Sequence, residues 1–281
     1  MAERTGEGGA AVPELTGREQ KEVEERSGPR TEVIYEAVRE EGESELKRSS
    51  VTLAWDGLTA GLSMGFSMVA EGLLRAHLPD APWRPAVSKL GYSVGFLIVI
   101  LGSQQLFTEN TLTAVLPLLQ RFNLKTLGNV LRLWAVVLVA NLVGAFVFAW
   151  VAGHTELFRP EVRAAFTEIG REALEGGAAT VFLRGLYAGW LIATMVWMLP
   201  ASESARFFVV VVMTYLVAFA GLAHIVAGGV EVFYVVLRGE AAWADFFRWV
   251  APTLLGNIVG GSTLVAALGH AQVAGETGKK I

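Results

Sequence analysis

The sequence predicts an all-α membrane protein: six transmembrane helices forming an inverted repeat, with spans two and five broken. Three observations carry this. Residues 51–270 are apolar almost throughout, while charge collects in the first fifty positions and the connections. Mean hydropathy is +0.45 and 53% of residues are hydrophobic, too apolar for an ordinary soluble chain. Two apolar segments are interrupted by polar residues at membrane depth, and spans three and six share a motif, Asn141-Leu142-Val143-Gly144 and Asn257-Ile258-Val259-Gly260.

Residues 1–50 read as a hydrophilic N-terminal tail, rich in Glu, Arg and Gly. It has too few large apolar side chains to offset its ordering entropy, yet residues 17–45 are expected to be partly helical. Span one covers residues 55–74. Its Gly57, Gly61 and Gly65 lie four apart on one face, where another backbone can approach closely. Asp56 opens the span; Glu71 lies near its end, where snorkelling or capping is expected. A connection bearing Pro79, Pro82 and Pro85 follows.

Span two is apolar over residues 87–101 and again over 112–119. Between them stand Ser103, Gln104, Gln105, Thr108, Glu109, Asn110 and Thr111. Neither half reaches the ~20 residues a helix needs to cross a bilayer. One span broken in its middle is the simplest reading. Non-helical backbone at that depth is tolerated only where protein buries it or it lines a wet cavity, so this is the candidate pore element.

Arg121, Lys125 and Arg132 then read as a basic loop, and span three covers residues 127–152. The charged connection 154–175 is expected to be an interfacial helix ended by Gly176-Gly177. Span four, residues 178–199, has Arg184 near its start, where snorkelling is available, and stops at Pro200. The short connection to Arg206 makes spans four and five antiparallel neighbours. Span five is apolar from Phe207 to Phe219, is interrupted around His224, Gly228-Gly229 and Glu231, and resumes to Leu237. Span six covers residues 250–268, and residues 271–281 form a short polar tail.

Six spans place both termini on one side, and the hydrophilic start and basic loop favour the cytoplasm. The hydrophilic start also gives no sign of a secretory signal peptide. Absence of cysteine excludes disulfides, Cys-ligated zinc and thiol catalysis. A net charge of −4 gives no reason to expect nucleic acid.

The order whole, broken, whole recurs in residues 51–152 and 176–270. An odd number of crossings per half inverts the halves, and discontinuous helices in corresponding positions point to a midplane transport site. A charge at the bilayer centre costs at least ~2.5 kcal/mol, so an anion there needs compensation. Half-helix N-termini offer free N–H groups, and Thr108, Asn141 and Asn257 offer donors. His224 is the one histidine expected at mid-membrane, since His77 and His154 fall in connections and His270 at the end of span six. Its unperturbed pKa near ~6.5 lets it lend or share a proton; alternatively it satisfies backbone carbonyls freed by the break. Glu109 and Glu231 read either as cavity carboxylates that repel anions or as caps near half-helix N-termini.

Taken together these residues resemble the formate/nitrite transporter family, within it an inner-membrane branch marked by the run Thr108-Glu109-Asn110-Thr111-Leu112-Thr113-Ala114-Val115-Leu116-Pro117. The resemblance rests on that run, on Leu106-Phe107-Thr108 after a glycine-rich half-span, on the Asn141 and Asn257 motifs and on His224. It covers residues 50–268.

The resemblance implies an aquaporin-like six-helix protomer in the inner membrane and a homopentamer with one pore per protomer. The implied cargo is a small monovalent anion: formate, nitrite, hydrosulfide, acetate or lactate. It places Thr108 beside the pore and His224 at its centre, with Leu106 and Phe107 as the cytoplasmic constriction and Tyr92 and Phe96 as the periplasmic one. Neither cofactor, metal nor catalytic residue is expected. The chain departs from formate channels at Ala223 and Ile225, which flank His224 in place of an acidic residue and a serine. It departs also at Val217, where a large aromatic is often found, and at Glu109. A lysine near the outer end of span four is replaced, at best, by Arg171 or Arg184. The open alternatives are a neutral-solute channel, a membrane enzyme using His224, Glu109 and Glu231, and a non-conducting scaffold.

Overall fold

The computed structural model describes residues 16–18, 29–267, 269 and 271, and these contain helices and no strands. The expected tails outside those positions, with His270, lie beyond the described residues. Helix α1, Thr31–Lys47, buries Tyr35, Val38, Gly42 and Leu46, a three-four spacing that gives a charged helix one apolar face. Helix α2, Ser50–His77, is span one, and the Ser49 side chain caps it by accepting from the Thr52 N–H at 3.1 Å. Span two begins with α3, Arg84–Ser88, a 3₁₀ turn, Lys89–Tyr92, and α4, Ser93–Leu101. It resumes with α5, Phe107–Thr113, and α6, Val115–Gln120. Helix α7, Leu124–His154, is span three; α8, Pro160–Ala173, is the charged connection; α9, Ala178–Met198, is span four. Span five comprises α10, Arg206–Phe219, and α11, Ala227–Leu237. Span six is α12, Trp243–Val259, continued by π-helical turns over Gly260–Ala267.

Among the described residues, four helical stretches are long and apolar enough to cross a membrane alone: Ser50–His77, Arg84–Leu101, Leu124–His154 and Ala178–Ala201. Span five is divided into 14 and 11 residues, and span six needs its π turns to reach full length. Six crossings with breaks in the second and fifth is the expected architecture.

Both breaks open with the same turn. At the end of α4, Gln104 N–H bonds Val99 O (2.9 Å) and Ser103 N–H bonds Ile100 O (3.2 Å); at the end of α10, Leu222 N–H bonds Val217 O (2.9 Å) and Gly221 N–H bonds Ala218 O (3.1 Å). This double closure needs a left-handed residue at its corner. Gly221 adopts φ +62° and Ser103 φ 50°. The halves also pack alike. A side chain on Gly61 of α2 would collide with the Asn141 carbonyl of α7, and one on Gly189 of α9 with the Asn257 carbonyl of α12. The glycine face of span one therefore serves α7 of the same chain.

The structure corrects three boundaries. The first break is residues 102–106; Thr108, Glu109, Asn110 and Thr111 belong to helix α5. Their polarity is absorbed locally, as in the Thr111 hydroxyl donating to Thr108 O at 2.7 Å. Gly228 and Gly229 do not interrupt α11; Trp249 and Leu142 pack against the space they leave. Span six begins at Trp243, ahead of residue 250.

Candidate functional site

Each break is held by one asparagine. The Asn141 amide donates to Gly57 O (2.7 Å) and Gln105 O (2.9 Å), while its oxygen accepts from Phe107 N–H (2.9 Å). The Asn257 amide donates to Gly185 O (2.8 Å) and Ala223 O (2.9 Å), and its oxygen accepts from Ile225 N–H (2.9 Å). Both side chains are fully buried. A buried amide commits every group to a partner, and here both amide hydrogens go to backbone carbonyls. The asparagines thus have no donor left for cargo: they hold the breaks open, a correction to their expected role as pore donors.

The two breaks meet at a buried contact. Thr108, in the first turn of α5, lies with its hydroxyl 2.8 Å from His224 Nε2. His224 Nδ1 accepts from the Val226 and Ala227 N–H groups at 3.3 and 3.2 Å. That contact fixes the tautomer: Nδ1 carries the lone pair, so Nε2 carries the hydrogen and donates to Thr108. The ring caps the start of α11, satisfying backbone N–H groups and not the freed carbonyls of the alternative reading. Phe96 meets the imidazole edge to face with centroids 4.9 Å apart, and Tyr92 packs on Phe96 at 5.3 Å. Leu106 is fully buried in the first break. Phe107 turns toward α7, its ring 6.0 Å from that of Trp134.

A cavity lies on each side of this waist. One, of about 280 Å³, is bordered by His224, Tyr92, Lys89, Glu172, Arg184 and Glu231. The other, of about 160 Å³, is bordered by Gln104, Gln105, Glu109, Arg206 and, from α1, Glu41 and Glu45. They form an α8-side and an α1-side vestibule. Glu109 and Glu231 therefore face opposite vestibules. Glu109 also sits in the first turn of α5, so its cavity and N-terminal positions coincide. Burial pushes the Glu41 and Glu45 carboxyls above the usual range.

Beside Glu231 stands an ion network that the sequence reading did not assemble. Glu71 is fully buried; its Oε1 lies 2.6 Å from Lys89 Nζ and 3.3 Å from Arg75, and its Oε2 has no hydrogen-bond partner among the described residues. Arg75 forks onto Glu172 of α8 at 2.6 and 3.0 Å, and Lys89 reaches Glu172 at 3.3 Å. Glu71 cannot snorkel because α8 covers that end of α2. The available signal was Glu71 and Arg75, four apart on one helix face, with Lys89 at similar depth on the next span. Arg184 instead donates to Glu175 O at 2.6 Å.

A sequence model described as formate/nitrite transporter matches residues 32–271. The Escherichia coli K12 inner membrane protein YfdC is 42% identical over 92% of this chain and 83% of its own length. The formate channel BtFdhC of Bacillus thuringiensis is 25% identical over 83% of this chain and 92% of its own. Among solved structures, an FNT family ion channel superposes with a TM-score of 0.74 at 18% identity, covering 85% of this chain and 98% of that one. A pentameric formate channel with formate bound gives 0.68 at 19%, covering 80% and 97%.

Proposed function

The chain belongs to the formate/nitrite transporter family, whose members are membrane transporters and not enzymes, and we propose that its own pore passes formate, nitrite or a similar weak-acid anion. It does so as a homopentamer in the inner membrane, with both termini in the cytoplasm. The observation that carries this reading is the buried Thr108–His224 hydrogen bond between the two vestibules. Cargo arriving there takes the Nε2–H donor in place of Thr108, and the N-terminus of α5 adds favourable partial charge. Phe96 and Leu106 exclude water around it, strengthening that one hydrogen bond.

Proton linkage runs through the same ring. Nε2–H is the hydrogen His224 shares with Thr108 and with cargo. A second proton needs the Nδ1 lone pair that Val226 and Ala227 occupy, so a cationic ring requires those two contacts to open. The test is uptake of formate, nitrite, acetate and hydrosulfide into proteoliposomes across a pH series, with wild type beside His224→Phe. Wild type is expected to move at least one of these, and His224→Phe to lose most of the flux and change its pH profile. A His224→Phe protein with unchanged flux and profile overturns the role of the ring. The carboxylates of both vestibules favour a second reading, in which cargo passes without its charge.

A further inference from the structure

We propose that Glu231 is the specificity-determining residue of the α8-side vestibule, making the channel admit weak acids together with their proton and turn away anions that have none. This rests on the channel reading above and names which chemical form of the cargo passes. Glu231 lies just over one turn into α11, which starts after His224, and both border the same 280 Å³ cavity. It is 8% exposed, and among the described residues its carboxylate makes no hydrogen bond or ion pair, although it lines the cavity.

Among the described residues, the two cations nearest to it are already paired with other carboxylates. From α2 it faces Glu71 and Arg75, from the 3₁₀ turn Lys89 and Tyr92, and from α8 Glu172. Lys89 is already engaged by Glu71 and Glu172, and Arg75 by Glu71, Glu168 and Glu172. Within this network four carboxylates therefore answer two cations. From α7 and α12 the packing neighbours of its helix turn are Leu142 and Trp249, which bring no charge. Arg184, at the cavity edge, gives one guanidinium nitrogen to the Glu175 carbonyl, and His224 is held neutral by its tautomer.

When Glu231 is ionised, a free anion entering this cavity meets an unpaired like charge within protein walls, where repulsion is much stronger than in bulk water. Two protonated arrangements remove it. Either the cargo arrives as the undissociated acid, or a protonated Glu231 transfers its proton to the anion, its O–H bond breaking as the acid's forms, and the carboxylate left behind takes a proton from water on the α8 side and leaves hydroxide there. Both bring the cargo to the Nε2–H of His224 without net charge.

The test uses the full chain in proteoliposomes with two probes: formate, which has a neutral form, and nitrate, which has essentially none at these pH values. Wild type is expected to reject nitrate, and its formate flux to fall about tenfold per pH unit between roughly pH 6 and 8, following the undissociated fraction. Glu231→Gln is expected to raise the nitrate-to-formate ratio about tenfold or more and to flatten the pH slope. Glu231→Asp keeps wild-type selectivity. The proposal is overturned if Glu231→Gln, eluting like wild type on size exclusion, keeps the wild-type ratio and slope. It is equally overturned if wild type passes nitrate as readily as formate, a measurement that stands even where the variant does not fold. A wild type silent to formate, nitrite and nitrate at every pH overturns the channel reading as well, whereas formate flux with unaltered selectivity overturns this inference alone.

Discussion

Leu106 and His224 occupy the same place in the two halves of the chain. Each is the middle residue between a carbonyl and an N–H held by one asparagine: Gln105 O and Phe107 N–H by Asn141, Ala223 O and Ile225 N–H by Asn257. The next residues correspond as well, Thr108 in one half and Val226 in the other. The repeat therefore supplies two equivalent backbone frames, and the sequence fills them unequally. A hydroxyl from the first frame meets an imidazole from the second, and the remaining two positions are apolar. A polar contact across the waist needs only one donor and one acceptor, and this asymmetry supplies one of each, from Thr108 and His224.

The equivalence predicts matched effects in the two clasps. Asn141→Asp and Asn257→Asp keep an acceptor but lose both donors, leaving two buried carbonyls unpaired. An unsatisfied buried group costs about 1–3 kcal/mol, and a buried carboxylate adds its own desolvation cost. Both variants are expected to lower the thermal midpoint of the detergent-solubilised protein by similar amounts. Leucine at either position, which removes all three hydrogen bonds, is expected to abolish folded protein. A wild-type midpoint in either aspartate variant would show that the clasp does not hold the break.

The corner residues of the two breaks give a second prediction. Ser103 and Gly221 both adopt left-handed backbone, φ 50° and +62°. A side chain there costs about 1–2 kcal/mol, partly offset because glycine loses more entropy on folding. Ser103→Gly is expected to be neutral or mildly stabilising, and Gly221→Val to cost about 1–3 kcal/mol. Chemical or thermal unfolding of the purified variants decides it, and a reversed order would contradict the matched turns.

The fold was legible because the membrane constrains it heavily. Apolar halves too short to span, and a motif repeated at Asn141 and Asn257, suffice to place two breaks in two inverted halves. Polarity misplaced the first boundary, since Thr108 to Thr111 are polar yet helical: the Asn110 amide serves Gln105 at 3.0 Å and the Asn110 carbonyl accepts from Trp134 at 2.9 Å. His224 was legible as the one mid-membrane histidine, but its tautomer was not, because that depends on where the Val226 and Ala227 N–H groups point. The network of Glu71, Lys89 and Glu172 stayed hidden for a different reason. It joins three elements distant in sequence, and each charge alone sits near enough to a span end to pass for a snorkelling or connecting residue.

That network carries a pH dependence outside the pore. Burial raises the Glu172 carboxyl, but its hydrogen bonds from Arg75 and the charge of Lys89 outweigh that, and its pKa is held below the ordinary carboxylate value of 4.5. A carboxyl depressed in the folded state contributes stability that is present above the unfolded value and is lost as pH falls through the folded one. Thermal stability is therefore expected to hold from pH 7 to about 5 and to drop below the mid-4 range. Glu172→Gln should be less stable at pH 7 and should show a smaller further drop on acidification. Equal acid sensitivity in wild type and variant would place the titrating group elsewhere.

The waist itself yields the sharpest expectation. Thr108 accepts from His224 Nε2 at 2.8 Å, and both groups are almost wholly buried. Thr108→Ser keeps the hydroxyl and is expected to keep flux within about twofold, whereas Thr108→Val keeps the shape and removes the acceptor. A buried hydrogen bond contributes about 1 kcal/mol, and an orphaned donor costs somewhat more. The valine variant is therefore expected to retain folded protein while its Nε2–H loses its resting partner and the ring its fixed orientation. Formate uptake should fall by about tenfold, the equivalent of about 1.4 kcal/mol. Nitrogen NMR of ring-labelled histidine provides the independent reading: wild type should show His224 neutral with hydrogen on Nε2, and Thr108→Val should broaden or shift that signal. If His224 is instead protonated on Nδ1 at neutral pH, the Val226 and Ala227 N–H groups do not hold that nitrogen, and the ring cannot be the fixed donor on which passage through the waist depends.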